Sequence, residues 1–221
     1  MRPLDISDAP RFGFRGLHLD LARNFESKAQ ILKIIAVMGQ EKLNKLHLHL
    51  GDDEGWRLAI PGLPELTEIG AARCHDLAEN HCLLPELGSG PQNTGGVNGY
   101  LTRDDYIEIL QAAKARHIEV IPSFDMPGHS RAAIRSMEAR ARRLIAAGQP
   151  EAAAEYRLYG PDDKTVYDSI QHYDDNTLNV CMPSTYRFIG QVSDASKAMH
   201  DAADEPLRIS QIGTDETAGA G

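Results

Sequence analysis

The sequence has little positive charge and no long hydrophobic run. It contains 23 lysines and arginines against 32 aspartates and glutamates, which gives a formal net charge of −9 at pH 7. Nucleic acids and anionic membrane surfaces repel a protein of this charge, so we expect neither as its main partner. No apolar run approaches the roughly 18 residues that a membrane-spanning helix needs, and the amino-terminal segment MRPLDISDAPRFGF lacks the apolar core of a signal peptide. We therefore expect this chain to begin inside a longer protein.

Cysteine is scarce, and strong metal-binding motifs are absent. Of the 3 cysteines, Cys74 and Cys82 lie in the polar segment ARCHDLAENHCLLP, and Cys181 stands apart from them. In an oxidising compartment Cys74 and Cys82 can close a local disulfide, whereas in a reducing compartment they stay free thiols. The sequence contains neither the HExxH nor the CxxC spacing of a strong metal site.

The remaining composition is that of an ordinary globular protein. Hydrophobic residues make up 42% of the 221 positions and charged residues 25%, which is enough for one good core or a large part of a bigger domain. The segments RGLHLDLA, KLHLHLGDD, IEVIPSFD and LRISQIGTDE are predicted to be strands. Leucine alternates with polar residues in the first two, and the third is almost continuously apolar, as in strands buried on both faces.

Helical patterns lie between the predicted strands. Ser27 can cap one helix, and Thr102, with Asp105 three positions later, can open another. The segment SRAAIRSMEARARRLIAAG predicts a third helix that ends at Gly148, and we expect its arginines to face solvent. A fourth helix is predicted from about Thr185 to His200. The alternation of strand and helix indicates an α/β fold with a parallel sheet.

Ionisable residues follow each predicted strand. They are Asp20 and Arg23, Asp52 and Asp53, Asp125 and His129, and Asp215 and Glu216. The carboxyl ends of parallel strands lie at one edge of a sheet, so we expect these groups to converge. Such a cluster suits acid–base chemistry on a neutral, hydroxyl-rich substrate, because a carboxylate among other carboxylates has a raised pKa. The alternative for each acidic pair is a solvated turn.

A metal site made of His47, His49 and Asp52 is a further alternative. The two histidines would share one face of their strand. However, they precede the strand end and lie where neighbouring layers of a sheet are packed, so we expect them to be structural, hydrogen-bonded histidines.

Several longer segments resemble one enzyme family. RGLHLDLARNF, LNKLHLHLGDDEGWRLAIPGLPELTEIGA, IEVIPSFDMPGHSRAAI and IGTDE are similar to segments of family 20 glycoside hydrolases, the β-N-acetylhexosaminidases. ARCHDLAENHCLLP and SMEARARRL resemble the bacterial chitobiase branch, which favours the disulfide. The resemblance runs from about Phe12 to the last residue. It implies a (β/α)8 TIM barrel, of which residues 1–221 are expected to cover about the first four strand–helix units, truncated after strand 4.

The resemblance also implies an activity and roles for individual residues. The family removes terminal N-acetyl-β-D-hexosamine from chitobiose and chito-oligosaccharides with retention, using the acetamido group of the sugar as nucleophile and no cofactor. Glu216 is the expected acid and later base, and Asp215 the expected partner of the acetamido group. Arg23 is expected to bind sugar hydroxyls, while Asp52 and His129 form a polar relay toward Glu216. The longer protein is expected to be periplasmic or secreted.

The sequence also departs from the family pattern. Gln211 and Thr214 replace a histidine and a glycine of the HxGGDE motif, and Ser123 replaces an acid. The one tryptophan, Trp56, is expected near the rim of the barrel rather than in a sugar-stacking wall. Half a barrel has open edge strands, so we expect self-association and no activity of the chain alone. A non-catalytic carbohydrate-binding or assembly module of the same fold is the alternative function.

Overall fold

A computed structural model describes residues 4–92, 94, 96–160, 162–163, 166–167, 169–215 and 219–220. In chain order its elements are β1 (Gly16–Asp20), α1 (Lys28–Gln40), β2 (Lys45–Asp52), β3 (Gly55–Trp56), α2 (Glu65–Glu68), α3 (Arg103–Lys114), β4 (Glu119–Asp125), α4 (Arg131–Ala146), α5 (Pro150–Glu155), β5 (Val166–Tyr167), α6 (Pro183–Ala202), β6 (Gln211–Gly213) and β7 (Gly219–Ala220). Among these described helices, none is both long and apolar enough to cross a membrane.

The predicted strands form one sheet. Strands β1, β2, β4 and β6 pair in parallel in that order, and β3 adds to β2 in the antiparallel direction. Strand β6 is shorter than the segment LRISQIGTDE suggested, since only Gln211, Ile212 and Gly213 pair with β4. In the described residues β6 is followed by β7, which pairs with β5, and not by a fourth barrel helix. The described residues thus contain four parallel strands and the helices in the three connections between them.

The predicted helices begin and end close to where their caps place them. Ser27 and Thr102 both cap their helices through capping boxes, with Gln30 and Asp105 as the returning side chains. Helix α4 is followed by Gly148 at φ +74°, the left-handed conformation that commonly ends a helix. Helix α6 begins two residues before Thr185, because Pro183 suits the first helical position.

The arginine-rich face of α4 does not face solvent as a whole, so that prediction is wrong. Arg131 is buried, and its guanidinium lies 2.7 Å from Glu79 and 2.9 Å from Asp175. Arg140 and Arg143 pair with a carboxylate of the buried Glu65, Arg140 at 3.0 Å. Glu65 and Glu79 lie between β3 and α3, and Asp175 lies between β5 and α6, so all three are distant from their α4 partners in sequence.

The core lies between the sheet and the helices that cover it. Apolar side chains of β2, α1, α3 and α6 meet there, among them Leu46, Leu48, Ile31, Ile35, Tyr106 and Phe188. Trp56 is a core residue rather than a rim residue: it stacks on Phe124 at 4.9 Å between ring centroids and donates Nε1–H to the carbonyl of Leu58 at 2.7 Å. The core thus fixes the base of the sheet whose carboxyl ends carry the ionisable residues.

Candidate active site

Arg23 is held at the mouth of the sheet by two carboxylates. Its Nη1 lies 2.8 Å from Asp20 Oδ2, and its Nη2 lies 2.8 Å from Asp52 Oδ2. The Asp52 side chain is 1% exposed and that of Arg23 36% exposed, so the guanidinium is anchored at the base and open toward solvent. Burial opposes the charge of Arg23, yet Asp52 and Asp20 raise its pKa. The fixed, partly open guanidinium can donate to hydroxyl groups of a ligand.

Two buried arginines hold the backbone that carries Arg23. Arg57 is completely buried and donates to the carbonyls of Leu21, Ala22, Ala71 and Gly99. Arg73 donates to the carbonyls of Ala22 and Arg23 and pairs with Glu54 at 3.2 Å. The segment after β1 therefore has its carbonyl groups satisfied from inside the protein.

His49 is a hydrogen-bonded structural histidine, as predicted. Its Nε2 lies 2.9 Å from Asp52 Oδ2, and its Nδ1 lies 3.2 Å from Ser123 Oγ. The Ser123 hydroxyl in turn donates to Gln211. Two departures from the family pattern, Ser123 and Gln211, thus contact each other, and Ser123 also contacts His49. Burial opposes the charge of His49, but the hydrogen bond to Asp52 and the nearby Asp125 raise its pKa.

The metal alternative does not assemble as the sequence suggested. The His47 ring lies against His18, with 4.4 Å between ring centroids, rather than beside Asp52. Among the described residues, His49, Asp52 and Asp125 do bring ligand atoms within 4.8 Å of one another. However, the Arg23 guanidinium already pairs with the Asp52 carboxylate at 2.8 Å. Its positive charge would repel a metal ion bound to Asp52.

His129 pairs with Asp53, a residue that the predicted relay did not include. His129 Nδ1 lies 2.9 Å from Asp53 Oδ2, and both side chains are buried. Asp53 also accepts from the Asn176 side-chain amide at 2.9 Å and from the Arg131 backbone N–H at 3.0 Å. Asp53, the first residue after β2, thus has partners different from those of Asp52.

His129 carries positive charge at neutral pH. Its hydrogen bond to Asp53 raises its pKa to about 9, against the opposing effect of burial, and the charges of Asp52 and Asp125 act in the same direction. Its Nε2 lies 3.8 Å from Asp215 Oδ2, and the Asp215 side chain is 69% exposed. The predicted acid, Glu216, lies outside the described residues, directly after Asp215 in the chain.

Asp125 is a site residue that the sequence placed at a strand end without giving it a role. Burial raises the pKa of Asp125 to about 6, with help from the negative charge of Asp52 and against the opposing effect of His49. Its carboxylate lies over Gly213 of β6, where a Cβ atom would collide with it. Glycine at this position lets β6 bring Asp215 close to the other strand ends.

Three residues of the connection between β4 and β6 also contribute to the site, and the sequence analysis missed them. They are Arg131, Tyr173 and Asn176. Tyr173 donates its hydroxyl to Glu54, next to the Asp52–Asp53 pair. No short motif marks these residues, because their role depends on where the connection 127–178 returns to the sheet.

The predicted disulfide between Cys74 and Cys82 is present, and Cys181 is a free, exposed thiol.

A parallel sheet with acidic residues, an arginine and a histidine at its carboxyl ends defines part of a (β/α)8-barrel catalytic domain. Residues 12–220 match the family model described as glycosyl hydrolase family 20, catalytic domain. The chain belongs to this family.

Known proteins of the family are similar over nearly the whole chain. Beta-hexosaminidase B of Pseudoalteromonas piscicida is 62% identical over 215 residues, which are 97% of this chain and 28% of that protein. N,N'-diacetylchitobiase of Vibrio harveyi is 53% identical over 214 residues, 96% of this chain and 24% of that protein. The chain thus spans about a quarter of the length of the curated relatives it matches.

Solved structures confirm the fold. A family 20 exo-β-N-acetylglucosaminidase of Vibrio harveyi in complex with N-acetylglucosamine superposes with a TM-score of 0.72 at 38% identity, covering 87% of this chain and 26% of that one. A mutant Streptomyces plicatus β-hexosaminidase in complex with the product GlcNAc gives a TM-score of 0.65 at 31% identity over 95% of this chain and 34% of that one. The predicted TIM-barrel architecture, present in part, is confirmed.

Proposed function

We propose that the chain forms the acid–base side of a β-N-acetylhexosaminidase active site. The reaction is the hydrolysis of terminal non-reducing N-acetyl-β-D-hexosamine from chitobiose and chito-oligosaccharides. The observation that carries the proposal is the convergence of Arg23, Asp53–His129 and Asp215 at one mouth of the sheet. The identity of the relatives and the sugar complexes of similar structures support it.

Arg23 provides the substrate-binding end of this site. Asp20 and Asp52 fix its guanidinium in one orientation, so a sugar hydroxyl meets a donor that needs no reordering. Asp52 acts on the substrate through Arg23, since its own carboxylate is buried beneath the guanidinium. Neutral hydroxyl groups suit this site, because the negative charge of Asp52 and Asp20 already balances the arginine.

The reacting end lies around Asp215 and the neighbouring Glu216. In the proposed reaction the acetamido oxygen attacks the anomeric carbon, while Glu216 gives its proton to the leaving oxygen. Asp215 accepts the acetamido N–H and stabilises the positive charge that develops on the ring formed. Water then adds to the anomeric carbon, and Glu216 takes a proton from it. The acetamido group is restored, and retention results from the two displacements.

His129 acts beside these carboxylates as a fixed positive charge. Asp53 holds Nδ1, so that Nε2 is directed toward Asp215 at 3.8 Å. A cation 3.8 Å from Asp215 stabilises negative charge at this end of the proposed site. Asp53, which the predicted relay did not include, orients His129.

A graft into a related barrel tests the proposed function. The segment of the Pseudoalteromonas piscicida relative that matches this chain is replaced by the chain, and turnover of a chromogenic N-acetyl-β-D-glucosaminide is measured. We expect turnover that Glu216→Gln reduces at least about a hundredfold, the scale of a lost acid–base catalyst. Glu68→Gln, at an exposed position on α2, is the matched control and should retain activity. Sugar binding without turnover would instead support the carbohydrate-binding module.

We also propose export of the protein to the periplasm or the exterior. The Cys74–Cys82 disulfide supports this, because such bonds persist mainly in oxidising compartments. Alkylation of protein taken directly from its native cells should label Cys181 alone, and all three cysteines only after reduction. Labelling of Cys74 and Cys82 without reduction would contradict export.

A further inference from the structure

Arg131 connects three segments of the chain at the amino-terminal end of α4. Its backbone N–H donates to Asp53 Oδ1 at 3.0 Å. Its guanidinium donates to both carboxylate oxygens of Glu79, at 2.7 and 3.0 Å, and through Nε to Asp175 at 2.9 Å. The side chains of Arg131 and Glu79 are each 8% exposed, so this contact is shielded from water. Arg131 thus contacts the end of β2 through Asp53, the segment between β3 and α3 through Glu79, and the segment between β5 and α6 through Asp175.

Glu79 lies inside the loop that the disulfide closes between Cys74 and Cys82. Its backbone has φ +49°, a left-handed conformation that is uncommon for residues other than glycine. Besides Arg131, its carboxylate accepts the backbone N–H of Leu84 at 2.7 Å and pairs with Arg135 Nε at 3.1 Å. The disulfide limits the conformations of this short loop, and the loop presents Glu79 to α4.

The segment between β5 and α6 also contacts Arg131 and Asp53. Asp175 pairs with Arg131, and the next residue, Asn176, donates to Asp53 Oδ2 at 2.9 Å. The Asn176 carbonyl accepts the backbone N–H of Ser130 at 2.8 Å. Asp53 Oδ2 is also the atom beside His129 Nδ1. The position of Asp53, and with it that of His129, is therefore set by residues that Arg131 holds in place.

We propose that Arg131 is a positioning residue for the Asp53–His129 pair, and that the disulfide loop acts on this pair through Glu79. Breaking the Cys74–Cys82 bond frees Glu79, releases one side of the Arg131 guanidinium and loosens the backbone N–H that holds Asp53. The oxidised state of the loop thereby becomes a condition for an ordered site. The consequence for catalysis rests on the proposed function, whereas the coupling between the loop and His129 is independent of it.

A charge-neutral change gives the most direct test. In the 221-residue chain, Cys74→Ser combined with Cys82→Ser removes the bond without adding or removing a charge. The pKa of His129, which faces Asp53, Asp52, Asp125 and Asp215, is measured by NMR titration of its ring. We expect it to fall by about one unit or more, a tenfold change in the protonation equilibrium. An unchanged pKa in the folded variant would overturn the proposal.

Glu79→Gln, made in the chain with its disulfide intact, tests the contact between Glu79 and Arg131 directly. The matched control is Glu65→Gln, which removes a buried carboxylate whose partners, Arg140 and Arg143, lie further along α4. We expect Glu79→Gln to lower the pKa of His129 and Glu65→Gln to leave it unchanged, at similar losses of thermal stability. Equal effects of the two variants, or global unfolding of both Glu79→Gln and the cysteine variant, would refute a specific coupling.

Hydrolysis by the graft separates this inference from the proposed function. If Glu79→Gln alters His129 while the parent graft shows no turnover, the coupling stands and the proposed function fails. If the graft turns over and none of the loop variants alters His129, the proposed function stands and the coupling fails.

Discussion

The imidazole of His129 lies 2.9 Å from the carboxylate of Asp53, while the preceding carboxylate, Asp52, lies 2.8 Å from the guanidinium of Arg23. Two adjacent aspartates thus serve two different cations at one strand end, where ligand atoms of Asp52, Asp53 and His129 lie within 4.8 Å of one another. Asp52 belongs to the sugar-binding side of the proposed site and Asp53 to the acid–base side. This division predicts different consequences when either carboxylate is removed.

Asp53→Asn is expected to change how stability depends on pH. The pKa of His129 is raised from 6.5 to about 9 in the folded chain, chiefly by Asp53. A raised histidine pKa contributes stability that is fully present below pH 6.5 and is lost as pH rises through 9. Urea unfolding at several pH values should show this loss in the wild type and much less of it in Asp53→Asn. Parallel stability curves would contradict the assignment.

Arg23→Ala is expected to weaken sugar binding in the graft. The variant removes the exposed donors and leaves the carboxylates of Asp20 and Asp52 without their cation. We expect at least a tenfold loss of affinity for N-acetylglucosamine, about 1.4 kcal/mol, measured by calorimetry. Arg103→Ala, which removes a half-exposed arginine on α3, is the control. Unchanged affinity in Arg23→Ala would remove Arg23 from the site.

Gly213→Ala is expected to disturb the site through packing. A Cβ atom at Gly213 would collide with the Asp125 carboxylate, so either β6 or Asp125 must move. Overpacking of this kind costs about 1–3 kcal/mol in the free energy of unfolding. The matched change is Gly190→Ala in α6, where an added Cβ atom has no other atom within 4 Å. It should stabilise the chain by up to about 1 kcal/mol. Similar effects of the two changes, measured by urea unfolding, would show that Gly213 has no special role.

Arg57→Lys is expected to be strongly destabilising despite the conserved charge. Arg57 is fully buried and uses its planar group to satisfy several carbonyls, including those of Leu21 and Ala22 before Arg23. An ammonium group cannot reach these carbonyls with the same geometry, so about 3 kcal/mol or more should be lost. Thermal unfolding checks this, with Arg103→Lys as the surface control. A loss below about 0.5 kcal/mol, typical of surface changes, would show that the carbonyls do not need Arg57.

Self-association through the sheet edges stays a prediction. Strands β1 and β6 are the outer strands of the parallel sheet in the described residues, and unpaired strand edges favour contact between chains. Light scattering across a concentration series should show species larger than 24.3 kDa for the isolated chain. A monomer at every concentration, with one sharp melting transition, would contradict this.

Much of the fold is local enough to be predicted from the sequence. The capping boxes at Ser27 and Thr102 and the alternating leucines of β1 and β2 depend on neighbours within a few positions. The convergence of the strand ends follows from the parallel topology alone. The structure therefore contains the predicted helix caps and parallel strands.

The features that were missed depend on distant segments. The role of Asp53 was missed because its partners His129, Asn176 and Arg131 come from the connection after β4. The arginines of α4 appeared to be solvent-facing because their carboxylates, Glu65 and Glu79, lie in another connection. Ser123 and Gln211 appeared as separate departures from a family pattern, yet they contact each other across β4 and β6.

A crystal structure of the grafted barrel with N-acetylglucosamine bound tests the central claim most directly, because it shows which groups share one substrate. We expect Arg23 to donate to the ring hydroxyls and Asp215 to accept from the acetamido N–H of the same sugar, with His129 beside Glu216 and still paired with Asp53. A sugar that contacts Arg23 while Asp215 and Glu216 lie out of hydrogen-bonding reach would contradict the claim that these strand ends form one active site.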